Sequence, residues 1–191
     1  MPTLCLRALL LCLLAPAGVA LAQTSPPAAP VPKENPLIAH NKLLYAGLKA
    51  MLLRSAEKMP EEGYGFRPTE AVRTYGQIVG HLAESQYFFC SAVLGEKNPS
   101  PKIEQTVTAK AELVAALKAA FAYCDKAYDG MNEASAAQTV KFFGLDTPKL
   151  GVLYTNQMHG ASHYGNLVTY MRLKNIVPPS SEPGAMPRPS N

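Results

Sequence analysis

Two histidines, His159 and His163, stand four residues apart in a stretch of helical character. In an α-helix, side chains at positions i and i+4 lie one above the other on the same face, so both imidazoles can point at one metal ion. The pair alone is a weak signal, because a long helix can carry two histidines by chance. The spacing raises a metal-site hypothesis that other residues must support.

A third imidazole is available from His81, which shares the face of an earlier helix with apolar residues. A lone histidine there more often forms a hydrogen bond in the core than it binds a metal. If the two helices face each other, however, His81, His159 and His163 form a tripod of neutral imidazoles. No cysteine or carboxylate stands at an obvious spacing to supply a fourth ligand, which leaves an open coordination position for water. A divalent metal there lowers the pKa of that water and polarises a carbonyl or phosphoryl oxygen.

Three polar residues near the histidines are candidates for supporting roles. Glu84 follows His81 by about one helical turn and could act as a general base or hold a ligand in place; the alternative is a solvated surface glutamate. Asn156 and Asn166 flank the histidine pair at i−3 and i+3, where they would orient a substrate or form interhelical hydrogen bonds. No catalytic residue is assigned beyond the metal.

Four segments have apolar residues at helical spacing, and each is bounded by capping residues, prolines or glycines. The helices that they predict would position these side chains. The segment 131–146 is expected to be irregular, and no strand is expected. In the fourth helix, Gly160 and Gly165 indicate close approach of a neighbouring helix or a ligand. Four such helices predict an all-α four-helix bundle, which builds metal sites from inward-pointing side chains. The expected helices run from 36 or 37 to 59, from 69 or 74 to 94, from 106 or 108 to 129, and from 147 to 175.

The first 22 residues are typical of a signal peptide. Arg7 precedes a leucine-rich run, and Ala20-Leu21-Ala22 fits cleavage before Gln23. The run is shorter than the roughly 20 residues that span a bilayer, so no stable membrane span is expected after cleavage. We therefore expect an exported protein, periplasmic or extracellular. Its parts would be a signal peptide (1–22), a Pro/Ala-rich linker (23–36), the bundle (37–177) and a disordered Pro/Ser-rich tail (178–191).

Export would leave the mature chain two cysteines, Cys90 and Cys124, each in an expected helix. An oxidising compartment permits a disulfide between them if their Cα atoms approach within about 7 Å. Two buried thiols are the alternative. The sequence leaves both arrangements open.

The composition and charge argue against some classes of protein, such as nucleic-acid-binding proteins. The chain has 191 residues, of which 48% are hydrophobic and 17% charged, as is typical of one globular domain. The net charge of +4 comes without a basic block or a basic stripe interleaved with aromatic residues, so nucleic acid is not an expected partner. Neither common type of glycine-rich phosphate loop is present.

Several segments together carry a family likeness. They are Gly80-His81-Leu82-Ala83-Glu84, His159-x-x-x-His163 with residues 167–172, Val177-Pro178-Pro179, and upstream His40-Asn41, residues 59–62 and Phe66-Arg67-Pro68. With these segments the chain resembles the DinB/YfiT-like superfamily from about residue 38 to residue 179.

The resemblance implies a four-helix bundle of DinB/YfiT-like type, with a long crossover between helices 2 and 3. It also implies a divalent metal on His81, His159 and His163; imidazole serves zinc, nickel, iron and manganese alike. Many members continue with Arg-Gly-Gln where this chain has Tyr164-Gly165-Asn166. Characterised members include thiol-dependent transferases and an isomerase, but export argues against a cytoplasmic thiol cosubstrate here. Members often pair through their helices, which implies a homodimer.

We expect a metal-dependent enzyme of this family that carries out transfer or hydrolysis on a small molecule, with the reaction unknown. The alternatives are a non-catalytic metal- or ligand-binding envelope protein, and a partner-binding bundle whose histidines are core residues. A cavity that opens at the metal favours the enzyme, whereas a sealed metal favours the binding protein. Histidine rings that diverge would exclude both metal hypotheses.

Overall fold

The computed structural model describes residues 35–99 and 102–183, and these form the expected all-α fold. Four long helices make up the bundle, joined by two short helices and one small hairpin. In chain order the α-helices and strands are α1 (Pro36–Lys58), α2 (Tyr75–Leu94), α3 (Ile103–Thr106), α4 (Lys110–Asp129), α5 (Glu133–Ala136), β1 (Thr139–Phe142), β2 (Leu145–Pro148) and α6 (Lys149–Leu173), with 3-10 helices at Glu61–Gly63 and Pro179–Ser181.

The long helices enclose an apolar core in which α4 and α6 each pack against both α1 and α2. Leu52, Ile78, Leu117 and Leu153, one from each long helix, are almost completely buried there. A long connection, described over residues 95–99 and 102–109, joins α2 to α4, and its helix α3 packs back on α2. The helices that carry the three histidines, α2 and α6, pack directly against each other.

Local capping explains the bounds of the first two long helices. The side chain of Asn35 accepts a hydrogen bond at the start of α1, and Thr74 and Gln77 form a capping box at the start of α2. α2 ends at Gly95, whose φ of 72° lies in the left-handed region that glycine adopts freely. The predicted starts at residues 36 and 74 agree with these caps.

The predicted cap of the third long helix, α4, was wrong. Neither Thr106 nor Thr108 caps it, and the N-cap residue is Ala109, whose side chain cannot accept a hydrogen bond. A carboxylate oxygen of Glu61 instead accepts from the backbone N–H of Lys110 at 3.2 Å. The cap therefore comes from a short 3-10 helix (Glu61–Gly63) that is distant in the sequence, and local sequence patterns do not reveal it.

The expectation of no strand was also wrong, because β1 and β2 pair as an antiparallel hairpin. Phe142 lies opposite Leu145, so the loop consists of Phe143 and Gly144 alone. Their φ angles of 47° and 80° are both positive, as the tightest two-residue hairpin loops require. Strands of four residues are too short to show a clear alternation of apolar and polar positions.

The hairpin moves the start of the last long helix. Thr147 and Pro148 belong to β2, so α6 begins at Lys149, with Pro148 in the N-cap position. The Thr-Pro pair has the composition of a helix start, but pairing with β1 keeps both residues extended.

The two interior glycines of α6 differ in their surroundings. A Cβ atom on Gly160 would lie 3.0 Å from Leu48 and 3.7 Å from Leu52 of α1, whereas one on Gly165 would meet nothing within 4 Å. The predicted close approach therefore holds for Gly160 only.

The beginning of the predicted disordered tail is folded against the bundle. Ser180 donates its backbone N–H to the hydroxyl of Tyr164 at 2.9 Å, and Glu182 forms ion pairs with Lys58 and Arg54 of α1. These contacts order residues 178–183 in spite of their Pro/Ser-rich composition.

The predicted signal peptide (1–22), linker residues 23–34 and tail residues 184–191 lie outside the described residues. Within the part of the chain that is described, no helix is long and apolar enough to cross a membrane.

Cys90 of α2 and Cys124 of α4 form a disulfide, with their Cα atoms 5.2 Å apart. Both cysteines are fully buried. The bond ties together the two helices on either side of the long connection. Of the two arrangements that the sequence left open, the structure has the crosslink.

We predict that the variant Cys90→Ala/Cys124→Ala loses about 2–4 kcal/mol of unfolding free energy. Without the crosslink, the unfolded chain regains conformational freedom that the disulfide removes. Urea titrations at equilibrium measure this loss. As a control, the wild type in excess reductant should unfold at nearly the same urea concentration as the variant. Equal midpoints for the oxidised wild type and the variant would contradict the prediction.

Candidate metal centre

The imidazoles of His81, His159 and His163 meet between α2 and α6. One ligand nitrogen from each ring lies within 4.8 Å of the other two, and the Nε2 atoms of His81 and His159 are 3.1 Å apart. Nitrogens that share one metal at about 2.1 Å stand roughly 3–3.5 Å from one another. The pair from His81 and His159 has this spacing, and the three rings converge on one point between the helices instead of diverging.

The helices position these rings in different ways. His159 and His163 stand one turn apart on α6, with ring centroids separated by 4.5 Å, as the i, i+4 spacing predicts. His81 comes from the middle of α2 and completes the triangle, with its ring 5.1 Å from that of His159 and 4.7 Å from that of His163.

Glu104 of α3 sets the orientation and tautomer of His81. Its Oε2 lies 3.0 Å from Nδ1 of His81, and its Oε1 accepts a hydrogen bond of 2.7 Å from Nε of Arg73. A carboxylate beside Nδ1 places the ring proton on that nitrogen and leaves Nε2 with a lone pair. The lone pair of His81 thus faces the other two histidines.

The short helix α3 reaches His81 because position 80 has no side chain. A Cβ atom on Gly80 would lie 2.8 Å from Cα and 3.1 Å from N of Glu104. Glu84, one turn further along α2, accepts the backbone N–H of Glu104 at 2.9 Å. Glu84 therefore anchors the residue that orients His81, and it also lines the cavity beside His81.

His159 is held mainly by packing. Its Nδ1 is buried without a hydrogen-bond partner among the described residues, and its ring lies 5.5 Å from that of Phe89. Metal-bound histidines usually donate their second nitrogen to an acceptor, so His159 departs from that pattern.

The two asparagines predicted near the site lie in different environments. Asn166 is beside the triad, with its Nδ2 3.5 Å from Nδ1 of His163. Asn156 is buried in the core, where its Nδ2 donates to Oε1 of Gln86 at 3.0 Å and lies 3.3 Å from the hydroxyl of Tyr128. The structure therefore places Asn166 near the histidines and Asn156 in interhelical hydrogen bonding.

The surroundings keep the α6 histidines neutral. Burial lowers the pKa of His159 to about 4, and the neighbouring His163, His81 and Arg73 act in the same direction. Burial, together with His81 and Arg73, also lowers the pKa of His163 to about 4, although the carboxylate of Glu104 opposes the shift. Both rings therefore have lone pairs available at neutral pH, as metal ligands require.

Solvent reaches the triad through two cavities. One, of about 410 Å³, is lined by His81 and His159, and another, of about 660 Å³, by His163 and Asn166. A small molecule can therefore approach the imidazoles, and the centre is not sealed.

Sequence reasoning missed Glu104 and Arg73, because the connections that carry them have no fixed spacing from the histidines. The available signal was Gly80, directly before His81. A glycine inside a helix indicates that another backbone comes close, but it does not show which one.

The sequence matches the model of the DinB superfamily over residues 45–167. No curated protein matches it.

Solved structures show a similar fold. A DinB-like protein from Bacillus cereus superposes with a TM-score of 0.67 at 16% identity, covering 74% of this chain and 95% of that chain. A DinB-like protein from Bacillus subtilis gives a TM-score of 0.57 at 19% identity, with coverages of 74% and 92%. A mutant of the mycothiol-dependent maleylpyruvate isomerase gives 0.57 at 18% identity, with coverages of 70% and 61%. At these identities the likeness extends to the fold alone.

We predict that Gly80→Ala destabilises the protein by about 1–3 kcal/mol and weakens divalent-metal binding, because the added methyl group must displace the backbone of Glu104. Denaturant unfolding and metal titration measure the two effects. Gly165→Ala is the matched control: the position is helical and open, so stability should stay level or rise by up to about 1 kcal/mol. Similar results for the two variants would refute the proposed role of the α2–α3 contact.

We predict that the metal-free protein loses stability as the pH falls from 6.5 towards 4. In the unfolded chain His159 and His163 protonate near their ordinary pKa of 6.5, whereas in the folded protein their pKa is about 4. The unfolded state therefore binds more protons than the folded state between pH 6.5 and 4. The unfolding free energy is highest above pH 6.5 and falls as the pH is lowered through this range. Unfolding free energies measured in chelator at several pH values give the slope.

The slope should be smaller for His159→Gln/His163→Gln and unchanged for His40→Ala, which alters an exposed histidine of α1. A wild-type slope equal to that of the double variant would show that these histidines do not cause the effect.

Proposed function

The chain belongs to the DinB superfamily, and on that premise we propose that His81, His159 and His163 bind a divalent metal used for transfer or hydrolysis on a small molecule. The observation that carries the proposal is the meeting of three imidazole nitrogens within 4.8 Å of one another beside an open cavity. Zinc, nickel, iron and manganese all suit imidazole ligands.

When bound, the cation would supply Lewis-acid chemistry, polarising a carbonyl or phosphoryl oxygen or acidifying water. The three ligands of this chain are imidazoles, so the ligand set carries no negative charge. Glu84 lines the cavity next to His81, where it can accept a proton from a substrate or a nucleophile. Its hydrogen bond to Glu104 N keeps the carboxylate in that position.

The open cavity favours an enzyme over a non-catalytic binding protein. A protein that only stores or carries a metal gains from enclosing it, whereas a catalytic metal site keeps a position accessible to substrate. The cavity of about 410 Å³ beside His81 and His159 provides that access.

We also propose that the protein is exported. The signal-like N-terminal sequence supports this, and so does the Cys90–Cys124 disulfide, because disulfides persist mainly in oxidising compartments. One of the similar structures is a mycothiol-dependent isomerase. Export argues against a cytoplasmic thiol as the cosubstrate of the present protein.

Elemental mass spectrometry of the purified protein tests the metal site. We predict about one equivalent of a transition metal in the wild type and in His40→Ala, and a large loss in His159→Ala, which removes one of three ligands. The same samples can be assayed with aryl ester and phosphate ester probes. Any turnover should disappear with chelator or in His159→Ala, and return when metal is added back to the chelated wild type.

Two results would contradict the proposal. One is a folded wild type that neither retains a metal nor takes up zinc, nickel, iron or manganese. The other is metal binding that survives in His159→Ala, because that metal would then lie elsewhere.

A further inference from the structure

We propose that the cavity beside His81 and His159 binds a substrate with a flat aromatic body and an anionic oxygen end. This inference rests on the proposed function, because the anionic end would lie towards the cation. The cavity volume of about 410 Å³ falls within the range of small-molecule sites and suits a molecule of one or two rings.

An aromatic wall forms one part of the cavity. Phe88 and Phe89 come from α2, and Phe143 comes from the hairpin loop. The rings of Phe88 and Phe143 are 5.5 Å apart, and the buried Phe142 packs against both Phe88 and Phe89 at 5.4 and 5.5 Å. These spacings are typical of interacting aromatic rings, so a further ring can pack against the same group.

The wall begins directly beside the candidate metal ligands. The ring of Phe89 lies 5.5 Å from that of His159, and His81 lines the same cavity. A substrate ring held by the phenylalanines would therefore place a short polar substituent at the imidazoles.

Two features of the wall are unfavourable for the protein alone. Phe88 and Phe143 are 39% and 74% exposed, and the exposed part of each residue gains nothing from the hydrophobic effect. Phe143 also has a φ of 47°, a conformation that bulky residues rarely adopt because it is strained. Asparagine or glycine would form this loop more easily, so the phenylalanine points to a role in ligand contact.

The charges around the cavity favour an anionic end. Lys102 contributes a positive side chain to the lining, and the proposed cation adds further positive charge. Glu84, the one carboxylate among the described lining residues, offsets the charge of Lys102, so the preference for an anionic end comes from the proposed cation. A carboxylate, phenolate or hydroxamate oxygen would therefore find attractive partners.

Two hydroxamate probes test the inference, because they share a metal-binding group and differ in the aromatic ring. Calorimetric titration of the metal-reconstituted protein should show benzohydroxamate binding at least about tenfold more tightly than acetohydroxamate. Phe143→Ala and Phe88→Ala should each reduce this preference by about three- to tenfold and leave acetohydroxamate affinity unchanged. The matched control is Leu145→Ala, since Leu145 lies on the same hairpin, is 69% exposed and does not line the cavity.

Equal affinities for the two probes would overturn the inference, as would a preference that neither phenylalanine variant reduces. Metal content is measured on the same samples, so failure of the inference can be separated from failure of the proposed function. A metal-loaded protein without ring preference refutes the inference alone.

Saturation-transfer NMR of benzoate with the metal-free protein gives a second readout of ring binding. One outcome is that the protein takes up no metal but magnetisation is transferred to the benzoate ring protons, and less so in Phe143→Ala. This outcome would refute the proposed function and support the aromatic cavity. Absence of both metal uptake and transfer would refute both proposals.

Discussion

The contact between α2 and α3 at Gly80 is the constraint on which the candidate site depends. The backbone of Glu104 lies where a side chain at position 80 would be, 2.8 Å from the Cβ atom that glycine lacks. That approach lets the carboxylate of Glu104 reach Nδ1 of His81 at 3.0 Å, and Glu84 secures it through the backbone N–H. A helix position with no side chain thereby determines which nitrogen of His81 is free to bind.

The site combines three imidazole donors with a water-accessible cavity. Burial lowers the pKa of His159 and of His163 to about 4, so these rings do not repel a cation at neutral pH. Their positions follow from the packing of α6 against α2, and the disulfide from Cys90 to Cys124 ties α2 to α4. The packing that stabilises the bundle therefore also sets the distances between the ligands.

The helical part of this arrangement could be predicted from sequence, because helical periodicity and capping are local signals. The spacing of His159 and His163 is such a signal, and so is the place of His81 on an apolar helix face; family resemblance then supported the three as one ligand set. The role of Glu104 could not be predicted, since it depends on the path of a connection without periodicity. The hairpin turn at Phe143 was missed because its strands have four residues each. Asn156 and Asn166 each stand three residues from a ligand histidine, but Asn156 bonds to Gln86 in the core, and the spacing alone does not distinguish the two.

The most direct test of the account is X-ray absorption spectroscopy at the edge of the bound metal in the reconstituted protein. We predict three imidazole nitrogens at about 2.0–2.1 Å, together with at least one non-protein oxygen ligand at an open position. Fewer than three imidazoles, or a coordination shell completed by a fourth protein ligand, would contradict it.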